Sequence, residues 1–462
     1  MNRRDWLTAA LGFALLQPAG KQRAMAQPQQ RERVIVIGAG IAGIAAAREL
    51  TAHGLEVVVL EARDRIGGRI WTDRSFSTPV ELGAASIELA KRNPLTPLAR
   101  QWQIPVNAID YASVALYDAD GPRIDDDEAE AVSDRLEELI SAAWRRAKRE
   151  AEAGRKAASP LSVADVLREH SFVPNVQTER GRVERWAMGV LACEYGAELD
   201  ELSLAWFDGG FDEDWDDLLV VGGFDRIVEH LAHGLDLRLG REVTRIEHGD
   251  DLVRVVCPQG VFEAERAIVT LPLGVLQSGA VEFAPSLPEN KRRALARLAM
   301  GSVEKVVLEF AERFWPGDVD FLGYASRTPG EFPQFLSLSA ATGKPLLLAT
   351  TAGEHARFLQ SLSDGEALEQ VRRALDLMFG RPTPKPLSFR VTHWGGDRFA
   401  RGAYSYVPVG ASGDDYDVLA EPLGERLFFA GEATNRRYPA TVHGAYFSGL
   451  REAERVMKSG AG

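Results

Sequence analysis

The sequence predicts an α/β protein with two domains, and three observations carry this prediction. The 462 residues exceed what one hydrophobic core usually contains. Near the N-terminus, residues 33–61 alternate between short β-branched runs and an alanine-rich helical segment, which is the pattern of a βαβ unit. The composition changes over about residues 93–219, and a helical pattern followed by strand patterns occupies about residues 285–390, so we expect a second, α+β domain built from two insertions.

The βαβ unit carries a glycine fingerprint. Apolar residues 34–37 precede Gly38, Gly40 and Gly43 at G-x-G-x-x-G spacing, with Ala42 in the same turn, and a second apolar run at 57–60 ends on Glu61. Such glycines let the backbone turn and approach a pyrophosphate, and the acid can accept hydrogen bonds from ribose hydroxyls. The unit therefore predicts a Rossmann-like, dinucleotide-binding sheet, with an ordinary βαβ turn as the alternative.

Net charge and cysteine content narrow the class of protein. The formal net charge of −13 argues against nucleic-acid binding and is compatible with a cationic substrate. Cys193 and Cys257 lack the spacing of metal ligands, so we expect both to be small buried side chains. The acidic run at 212–217 is predicted to be a solvated loop.

Residues 1–26 have the layout of an export signal. Arg3 and Arg4 precede an apolar stretch at 7–16, and residues 24–26 read Ala-Met-Ala, a cleavage pattern. The segment resembles a twin-arginine signal and is too short to span a bilayer, although an uncleaved anchor is the alternative. We therefore expect the twin-arginine export machinery as a partner, no stable membrane anchor after cleavage, and a periplasmic or secreted protein.

A longer motif follows Glu61. Residues 62–69 read Ala-Arg-Asp-Arg-Ile-Gly-Gly-Arg, in which two glycines admit a phosphate or ring and the arginines offer charge-assisted contacts. Here the sequence resembles the flavin amine oxidase family, closest to polyamine oxidases and lysine-specific demethylase-like amine oxidases, and the export signal suggests a bacterial exported member. The resemblance implies noncovalent FAD in a glutathione-reductase-type domain.

The resemblance also divides the chain. It assigns residues 31–92, 220–284 and 391–458 to the FAD domain, 93–219 to a helical part of the substrate domain, and 285–390 to a sheet that closes over the flavin. The strand at 427–430, the turn after it and a helix beginning after residue 441 would place N–H groups where negative charge builds on flavin reduction. The positions it assigns to FAD are Gly38, Gly40, Ala42, Gly43, Glu61, Ala62, Arg63, Gly67, Gly68, Arg69, Gly83, Ala84, Val243, Pro272, Trp394, Gly431, Glu432, Thr441 and Val442.

Two acids in the first insertion are candidate substrate ligands. Residues 79–84, Pro-Val-Glu-Leu-Gly-Ala, match the family's next strand and turn, which pass near the flavin ring, and Glu88 follows them. Glu194 lies at the end of a predicted helix at 186–195, beyond an amphipathic helix at 125–158. In plant polyamine oxidases, glutamates at matching places line the substrate tunnel, and two carboxylates in a partly desolvated channel favour a ligand with several ammonium groups. A surface carboxylate at Glu88 and a locally satisfied helix end at Glu194 are the alternatives.

Lys305 lies in a predicted strand at 301–310 and shares a face with Val303 and Val307. Burial lowers a lysine pKa, which makes such a residue a functional candidate. In the family, the matching lysine holds a water against flavin N5 and assists reoxidation by oxygen. An edge-strand lysine that reaches solvent is the alternative.

The last segment carries two departures from monoamine oxidases. Ala403 stands where those enzymes carry a cysteine bonded to flavin, so the FAD should be noncovalent. Thr441 stands in place of their second substrate-flanking aromatic, which leaves Tyr404 as one wall and favours a long or secondary amine. With Lys305 these form the predicted catalytic set, whereas His443 is predicted to be a packed, hydrogen-bonded histidine.

The resemblance implies oxidative deamination of polyamines such as spermidine or spermine, with oxygen as acceptor and an aldehyde, a shorter amine and hydrogen peroxide as products. An L-amino-acid or alkaloid oxidase of the same fold is one alternative. An amino-acid oxidase needs a cation for the substrate carboxylate, for which Arg401 and Arg436 are the candidates. A non-catalytic FAD-binding redox partner is the alternative from another class.

Overall fold

The computed structural model describes residues 32–152, 161–207, 216–249 and 251–459. The predicted leader at 1–26 lies outside these ranges. Within them, every helix is too short or too polar to cross a membrane.

The strands of the described residues are, in chain order, Arg33–Ile37 (β1), Glu56–Leu60 (β2), Thr72–Asp73 (β3), Val80–Glu81 (β4), Ser86–Ile87 (β5), Val106–Ala108 (β6), Val114–Asp118 (β7), Leu218–Val220 (β8), Asp236–Arg238 (β9), Arg245–His248 (β10), Val253–Cys257 (β11), Gly260–Ala264 (β12), Arg266–Val269 (β13), Glu282–Ala284 (β14), Ala299–Met300 (β15), Val303–Glu309 (β16), Phe321–Ala325 (β17), Gln334–Ser337 (β18), Leu346–Ala352 (β19), Ser388–Val391 (β20), Ser405–Tyr406 (β21) and Leu427–Phe429 (β22).

The α-helices are, in chain order, Ile41–Ala52 (α1), Leu95–Gln101 (α2), Asp126–Glu152 (α3), Val163–Glu169 (α4), Glu179–Tyr195 (α5), Asp225–Ala232 (α6), Leu273–Gln277 (α7), Glu289–Arg297 (α8), Ser339–Thr342 (α9), Gly353–Gln360 (α10), Asp364–Met378 (α11), Asp414–Ala420 (α12) and Val442–Ser459 (α13). A 3₁₀ turn covers Glu432–Thr434.

A five-stranded parallel sheet has the order β22-β13-β1-β2-β9. Its central strand, β1, is buried along residues 34–37 because helices α1 and α13 cover one face and the antiparallel strands β10–β12 cover the other, which explains the continuous apolar run. The predicted strand–helix–strand order at 33–61 is therefore confirmed. Together with the antiparallel sheets, this sheet makes the fold a mixed α/β structure.

Helix α1 is held between this sheet and α13 by small residues. Ala42, Gly43 and the alanines at 45–47 are buried, and a Cβ at Gly449 of α13 would overlap the carbonyl oxygen of Ala42. The close approach of α13 to α1 brings the first turn of α13 to the same region as the glycine loop.

A second, six-stranded sheet has the order β20-β16-β19-β18-β17-β7, with only β17 and β7 parallel. Strand β16 is interior, since it pairs with β19 on one side and β20 on the other. The alternative of an edge-strand lysine at 305 is therefore wrong. The remaining sheets of the described residues are β12-β11-β10-β14, β5-β8-β6, β15-β21 and β3-β4.

Helix α3 corrects the prediction for 125–158. It runs over Asp126–Glu152, and residues 153–160 lie outside the described ranges. Its apolar face, which includes Val132, Leu136 and Ile140, is buried against α5 and β7, so the helix is half-covered.

Lys291 of α8 is buried and fixes the end of α12. Its ammonium donates three hydrogen bonds of 2.8 Å to the carbonyl oxygens of Val418, Leu419 and Glu421, and it lies 4.2 Å from the Phe429 ring centroid. We expect Lys291→Met to lower the free energy of unfolding by about 3 kcal/mol, because three buried carbonyls lose their donor. Urea unfolding of the holoprotein measures this.

The matched control is Lys458→Met, which removes an exposed lysine whose ion pair with Glu454 lies on the surface of α13. We expect a change within about 0.5 kcal/mol there. Equal effects of the two substitutions would contradict the structural role of Lys291.

Candidate active site

The glycine loop after β1 places backbone, rather than side chains, at the carboxyl end of the parallel sheet. A Cβ at Gly43 would overlap the Gly38 carbonyl oxygen, so this position requires glycine for packing. In contrast, a Cβ at Gly40 would meet no heavy atom within 4 Å. Packing within the protein therefore does not require glycine at position 40. Close approach of a pyrophosphate to the backbone would require it.

Glu61 directly follows β2 beside this loop. Its carboxylate accepts hydrogen bonds from the N–H groups of Ala39 and Arg63, both at 2.8 Å, and it is buried. Each carboxylate oxygen has a further lone pair for ribose hydroxyls. Gly240 and Arg241 pair with the backbone of Arg63 and Glu61, which brings the following loop alongside.

Val243 lies in that loop. It is buried and lies two residues before β10 begins. Ala62, next to Glu61, is half-buried, and Pro272 is the residue before α7 and borders a cavity together with Gly431 and Glu432. Val243 thus lies in the loop that runs beside Glu61, whereas Pro272 lies with Gly431 and Glu432.

Gly67 and Gly68 lie against the glycine loop. Gly67 donates its N–H to Ala39 O at 2.9 Å and forms a parallel bridge with Gly40, and both Gly67 and Gly68 have positive φ values. A Cβ at Gly68 would lie 3.4 Å from the Gly40 Cα. The two glycine-rich stretches therefore form one continuous backbone surface.

The three arginines of the motif have different partners. Arg63 forms a bidentate ion pair with Asp397, with distances of 2.9 and 2.8 Å. Arg65 lies over the Trp71 ring, burial lowers its pKa to about 10, and its Nη2 has no hydrogen-bond partner in the described structure. This orphaned donor fits an anionic or carbonyl-bearing ligand, because a buried guanidinium nitrogen without an acceptor is costly.

Arg69 meets Glu432 across the site. Arg69 Nη1 donates to Glu432 Oε1 at 3.0 Å and to Ala403 O at 2.8 Å. Glu432 Oε2 accepts from the Ser405 hydroxyl and from Ala440 N. The buried Glu432 carboxylate thus ties three distant segments together, which makes it a positioning residue.

The first turn of α13 presents free backbone donors. Thr441 caps this helix, since its hydroxyl accepts from Gly444 N at 2.9 Å and donates to Tyr438 O at 3.0 Å. Within the described ranges, the N–H groups of Val442 and His443 donate to no acceptor. A Cβ at Gly431, which has φ of 127°, would also meet no heavy atom within 4 Å. These features form a cradle for an electron-rich group at the positive end of the helix.

His443 corrects a prediction. It is 3% exposed and packs edge-on against Tyr438 and Phe447, yet its Nε2 has no hydrogen-bond partner in the described structure. Burial lowers the pKa of His443 to about 4, so the imidazole is neutral at physiological pH. The packed environment was predicted, whereas the hydrogen bonding expected for this histidine is not found at Nε2.

Lys305 extends from the interior strand β16 to the loop after β4. Its ammonium donates to Gly83 O at 2.6 Å, and Trp394 Nε1 donates to the neighbouring Leu82 O at 3.0 Å. Burial lowers the pKa of Lys305 to about 8, and the Glu81 carboxylate opposes this shift. The lysine therefore carries its charge at neutral pH and loses it when the pH rises above about 8.

Gly83 and Ala84 are fixed from the other side by Arg69. Ala84 N donates to Arg69 O at 3.1 Å, and a Cβ at Gly83 would overlap the same carbonyl oxygen. The structure therefore brings Gly83, Ala84, Lys305 and Trp394 into one neighbourhood.

Tyr404 closes against the end of α5. Its hydroxyl donates to Cys193 O at 2.7 Å, and its ring lies beside Gly196, whose left-handed conformation ends the helix. Burial raises the pKa of Tyr404 well above its usual value, with further contributions from Cys193, Glu194 and Glu88. Both cysteines are free and buried, as predicted.

Glu88 and Glu194 converge on Tyr404. Both carboxylates raise the pKa of Tyr404 and that of Tyr111. Glu194 is exposed at the end of α5, whereas Glu88 is half-buried after β5. Burial, and then the Asp217 carboxylate, raise the pKa of Glu88 to about 8. The structure thus unites two acids that lie more than a hundred residues apart.

Several residues of this neighbourhood were not predicted. Asp217 is buried, which corrects the solvated-loop prediction for the end of the run at 212–217, while residues 212–215 lie outside the described ranges. Glu81 accepts from Thr72 Oγ1 and Phe224 N, and burial raises its pKa to about 7. Its place beside Lys305 is a long-range contact that no local pattern indicates.

Together, these features define the class of protein. The parallel sheet ends in a glycine loop that can approach a phosphate, and the carboxylate of Glu61 lies beside this loop. The N-terminus of α13, the buried Lys305 and Tyr404 complete the site. The residues fit FAD at the observed cradle positions, namely Gly40, Gly431, Arg65 Nη2 and the free N–H groups of α13. This is the site of an FAD-dependent oxidoreductase.

Comparison with known families assigns this oxidoreductase to one family. The family model described as "Flavin containing amine oxidoreductase" matches residues 41–457, and the chain belongs to this family. FAD is therefore its cofactor, bound without a covalent link, and the mixed α/β structure is consistent with the flavin amine oxidase fold.

The curated relatives are named as demethylases. The chain is 38% identical to lysine-specific histone demethylase 1 homolog 3 of Oryza sativa subsp. japonica over 464 residues, covering 95% of this chain and 56% of the relative. It is 36% identical to homolog 2 of Arabidopsis thaliana, covering 92% and 58%, and 33% identical to lysine-specific histone demethylase 2 of Homo sapiens, covering 96% and 56%. The chain thus spans little more than half the length of these relatives.

The predicted periplasmic or secreted location is wrong. The similar proteins are histone demethylases of plants and human, and histones are proteins of the nucleus rather than of an exported compartment.

Proposed function

We propose that this chain oxidises long amines that carry a second positive charge, with polyamines such as spermidine and spermine as its substrates. In this proposal the parallel sheet β22-β13-β1-β2-β9 and its helices are a Rossmann-like FAD domain, of the glutathione-reductase type, made of residues 31–92, 220–284 and 391–458. Residues 93–219 and 285–390 form the substrate domain. Oxygen is the electron acceptor, and an aldehyde, a shorter amine and hydrogen peroxide are the products.

One arrangement carries the substrate proposal: the Tyr404 hydroxyl donates to the carbonyl oxygen of Cys193, the residue before Glu194, and after burial the carboxylates of Glu194 and Glu88 raise the pKa of Tyr404. Tyr404 supplies a flat apolar wall, and two carboxylates beyond it attract a cation at some distance from the reacting nitrogen. Carboxylates in a partly desolvated site favour cations more strongly than they do in water. A ligand with two separated ammonium groups satisfies this arrangement better than a small monoamine does.

FAD, when bound, accepts a hydride from the α-carbon of the amine. The residues of the chain position and desolvate the substrate, with Tyr404 and Thr441 at the reacting end and Glu88 and Glu194 at the remote end. Desolvation also favours the unprotonated amine, which is the reactive form. The positively charged ammonium of Lys305 donates a hydrogen bond to Gly83 O, and from this position it assists the reaction with oxygen.

An N-methylated lysine in a basic peptide is the second candidate substrate. It is favoured by the curated relatives, whose names state lysine-specific histone demethylation. Such a peptide shares the chemistry of a secondary amine with nearby positive charges. Because the chain spans little more than half of those relatives, we place this substrate second.

An L-amino-acid oxidase fits less well. Arg436, one candidate for a substrate carboxylate, is already paired with Asp414 and Asp417 and lies over the Trp206 ring. Arg401 is exposed, in a residue with positive φ. The acids near Tyr404 would also repel a substrate carboxylate.

Removing either acid tests the proposal. We expect Glu88→Gln and Glu194→Gln each to raise the KM for spermidine about tenfold, because one charge pair of roughly 1.4 kcal/mol is lost. The KM for a monoamine such as butylamine should change by less than twofold. Steady-state oxygen consumption with both amines measures the difference.

The matched control is Glu184→Gln, on the same helix as Glu194, where the carboxylate pairs with exposed Arg180. It should leave both KM values unchanged. If either acid variant affects spermidine and butylamine equally, remote cation binding by that acid is refuted.

A further inference from the structure

The turn that carries Glu88 is held in an uncommon conformation. Leu89 has φ of 51°, which is in the left-handed region that non-glycine residues rarely adopt. Such a conformation persists only where surrounding contacts fix it. Here Asn93 Nδ2 donates to Glu88 O at 2.7 Å, and Asp217 Oδ1 accepts from Leu89 N at 3.0 Å.

Asp217 reaches this turn because β8 pairs with β5. Ile87 is opposite Leu218 in that antiparallel pair, so the residue before β8 lies next to the residue after β5. The backbone oxygen of Asp217 accepts from Ile109 N at 3.1 Å, and its Oδ2 accepts from the Tyr111 hydroxyl at 2.9 Å. Asp217 therefore links three chain segments while being only 2% exposed.

Tyr111 occupies the outer side of this arrangement. Its ring stacks on Phe321 with centroids 5.6 Å apart and remains 45% exposed, while its hydroxyl is directed to Asp217. Glu88, Asp217 and Glu194 all raise the pKa of Tyr111. A buried carboxylate, a half-buried carboxylate and a tyrosine thus face one another where the proposed remote ammonium group would lie.

The titratable groups around Glu88 come from several elements. Asp217 precedes β8, Tyr111 lies between β6 and β7, Glu194 lies in the last turn of α5, and Tyr404 precedes β21. Asp216, the neighbour of Asp217, pairs with Lys91 at 3.7 Å. After burial, Asp217 is the charged group that raises the pKa of Glu88, which reaches about 8. Without a cation, Glu88 is therefore protonated at neutral pH.

We propose that Asp217 is a positioning residue of the amine site, which orients the Glu88 turn and, by its like charge, couples cation binding to loss of a proton from Glu88. The step is an exchange: the Glu88 carboxyl O–H bond breaks, the proton passes to solvent, and the carboxylate pairs with the ligand cation. This inference rests on the proposed function, since it takes Glu88 to be the ligand of the remote ammonium.

The exchange makes cation affinity dependent on pH. Below about pH 8 the cation must displace the Glu88 proton, so its affinity rises with pH by up to tenfold per unit, and above about pH 8 it levels off. The affinity rises rather than falls with pH because the pKa of the Glu88 carboxyl is raised, so the ligand-free protein binds more protons than the complex does.

The test uses decamethonium, a probe with two quaternary ammonium groups. These groups do not titrate, and they lack the nitrogen lone pair that amine oxidation requires, so the probe is not oxidised. Titration calorimetry of the FAD-loaded protein between pH 6 and 9, in buffers of different ionisation enthalpy, counts the protons released. We expect about 0.9 protons per probe at pH 7, from a group with a pKa near 8. In Asp217→Asn, whose amide oxygen can still accept from Leu89 N, the pH of half-maximal release should fall by about one unit.

Asp216→Asn is the matched control, since it removes the adjacent carboxylate, and it should retain the wild-type release. If Asp217→Asn also retains it, the coupling role of Asp217 is overturned. Should Asp217→Asn lose its flavin, Asp217→Glu keeps the charge but displaces it: we expect proton release to persist with about tenfold weaker binding, and unchanged affinity would overturn the positioning role.

Failure of the proposed function has a different signature. If decamethonium does not bind, or binds Glu88→Gln as tightly as the wild type, then Glu88 does not hold a remote cation and the inference falls with the proposed function. Binding that depends on Glu88, but releases protons identically in Asp217→Asn, overturns the inference alone.

Discussion

Lys305→Met is expected to slow the reaction of the reduced enzyme with oxygen about a hundredfold, while anaerobic flavin bleaching by the substrate changes less than threefold. The lysine lies on an interior strand, its ammonium donates to Gly83 O, and burial keeps its pKa at about 8. A fixed positive charge stabilises negative charge that develops during oxygen reduction, and removing such a group costs on the order of a hundredfold. Methionine preserves the length and apolar stem of the side chain.

The same residue predicts a pH dependence. In the wild type, the oxygen reaction should slow as the pH rises through about 8, because Lys305 loses its charge there. The Lys305→Met rate should be flat over this range. Stopped-flow mixing of reduced enzyme with oxygenated buffer measures both, and Lys344→Met, at an exposed position, is the control. Equal slowing of bleaching and of the oxygen reaction would remove the role assigned to Lys305.

Gly40→Ala is expected to weaken FAD binding about a hundredfold without unfolding the chain. Gly40 has φ of −70°, which alanine adopts without strain, and its Cβ would meet no heavy atom of the protein within 4 Å. The added methyl would instead occupy the surface that the pyrophosphate approaches, where overpacking costs roughly 1–3 kcal/mol. Fluorescence titration of the apoprotein with FAD measures the loss.

Gly43→Ala is the matched comparison in the same loop. Its Cβ would overlap the Gly38 carbonyl oxygen, so α1 must move away from β1. We expect this variant to lose about 3 kcal/mol or more of unfolding free energy even in excess FAD. We assign Gly40 to contact with FAD and Gly43 to packing of α1. This assignment is wrong if Gly40→Ala is the less stable variant, or if it binds FAD normally.

Local patterns predicted the parts of the site that depend on neighbouring residues. The spacing of Gly38, Gly40 and Gly43 and the acid at 61 identified the parallel sheet and its loop, and alternation along 301–310 put Lys305 on an apolar face. That β16 is interior could not be read from this segment, because its partners β19 and β20 come some 40 and 80 residues later.

Side chains whose partners are distant in sequence were predicted less well. Glu432 was assigned to FAD, yet its carboxylate is engaged by Arg69, Ser405 and Ala440. Asp217 lies in an acidic run that is typical of a solvated loop, and only the pairing of β8 with β5 buries it. From the sequence, Thr441 is notable only because it stands where monoamine oxidases carry an aromatic residue. The structure shows that its hydroxyl also caps α13.

The export prediction failed for another reason. A short basic and apolar leader is a local sequence pattern, which composition alone can produce. The relatives, in contrast, match 95% and 96% of the chain.

The most direct test of the account is anaerobic bleaching of the purified holoprotein by a panel of amines. The panel contains spermidine, spermine, putrescine, butylamine, an N-methyl-lysine peptide and an L-amino acid, and the oxidised flavin absorbance is followed after rapid mixing. We expect spermidine and spermine to bleach the flavin at least tenfold faster than butylamine at equal concentration, because only they reach Glu88 and Glu194. Flavin that stays oxidised with both polyamines, while the peptide, butylamine or the amino acid bleaches it, would contradict the polyamine assignment, and flavin that no amine bleaches would contradict amine oxidation itself.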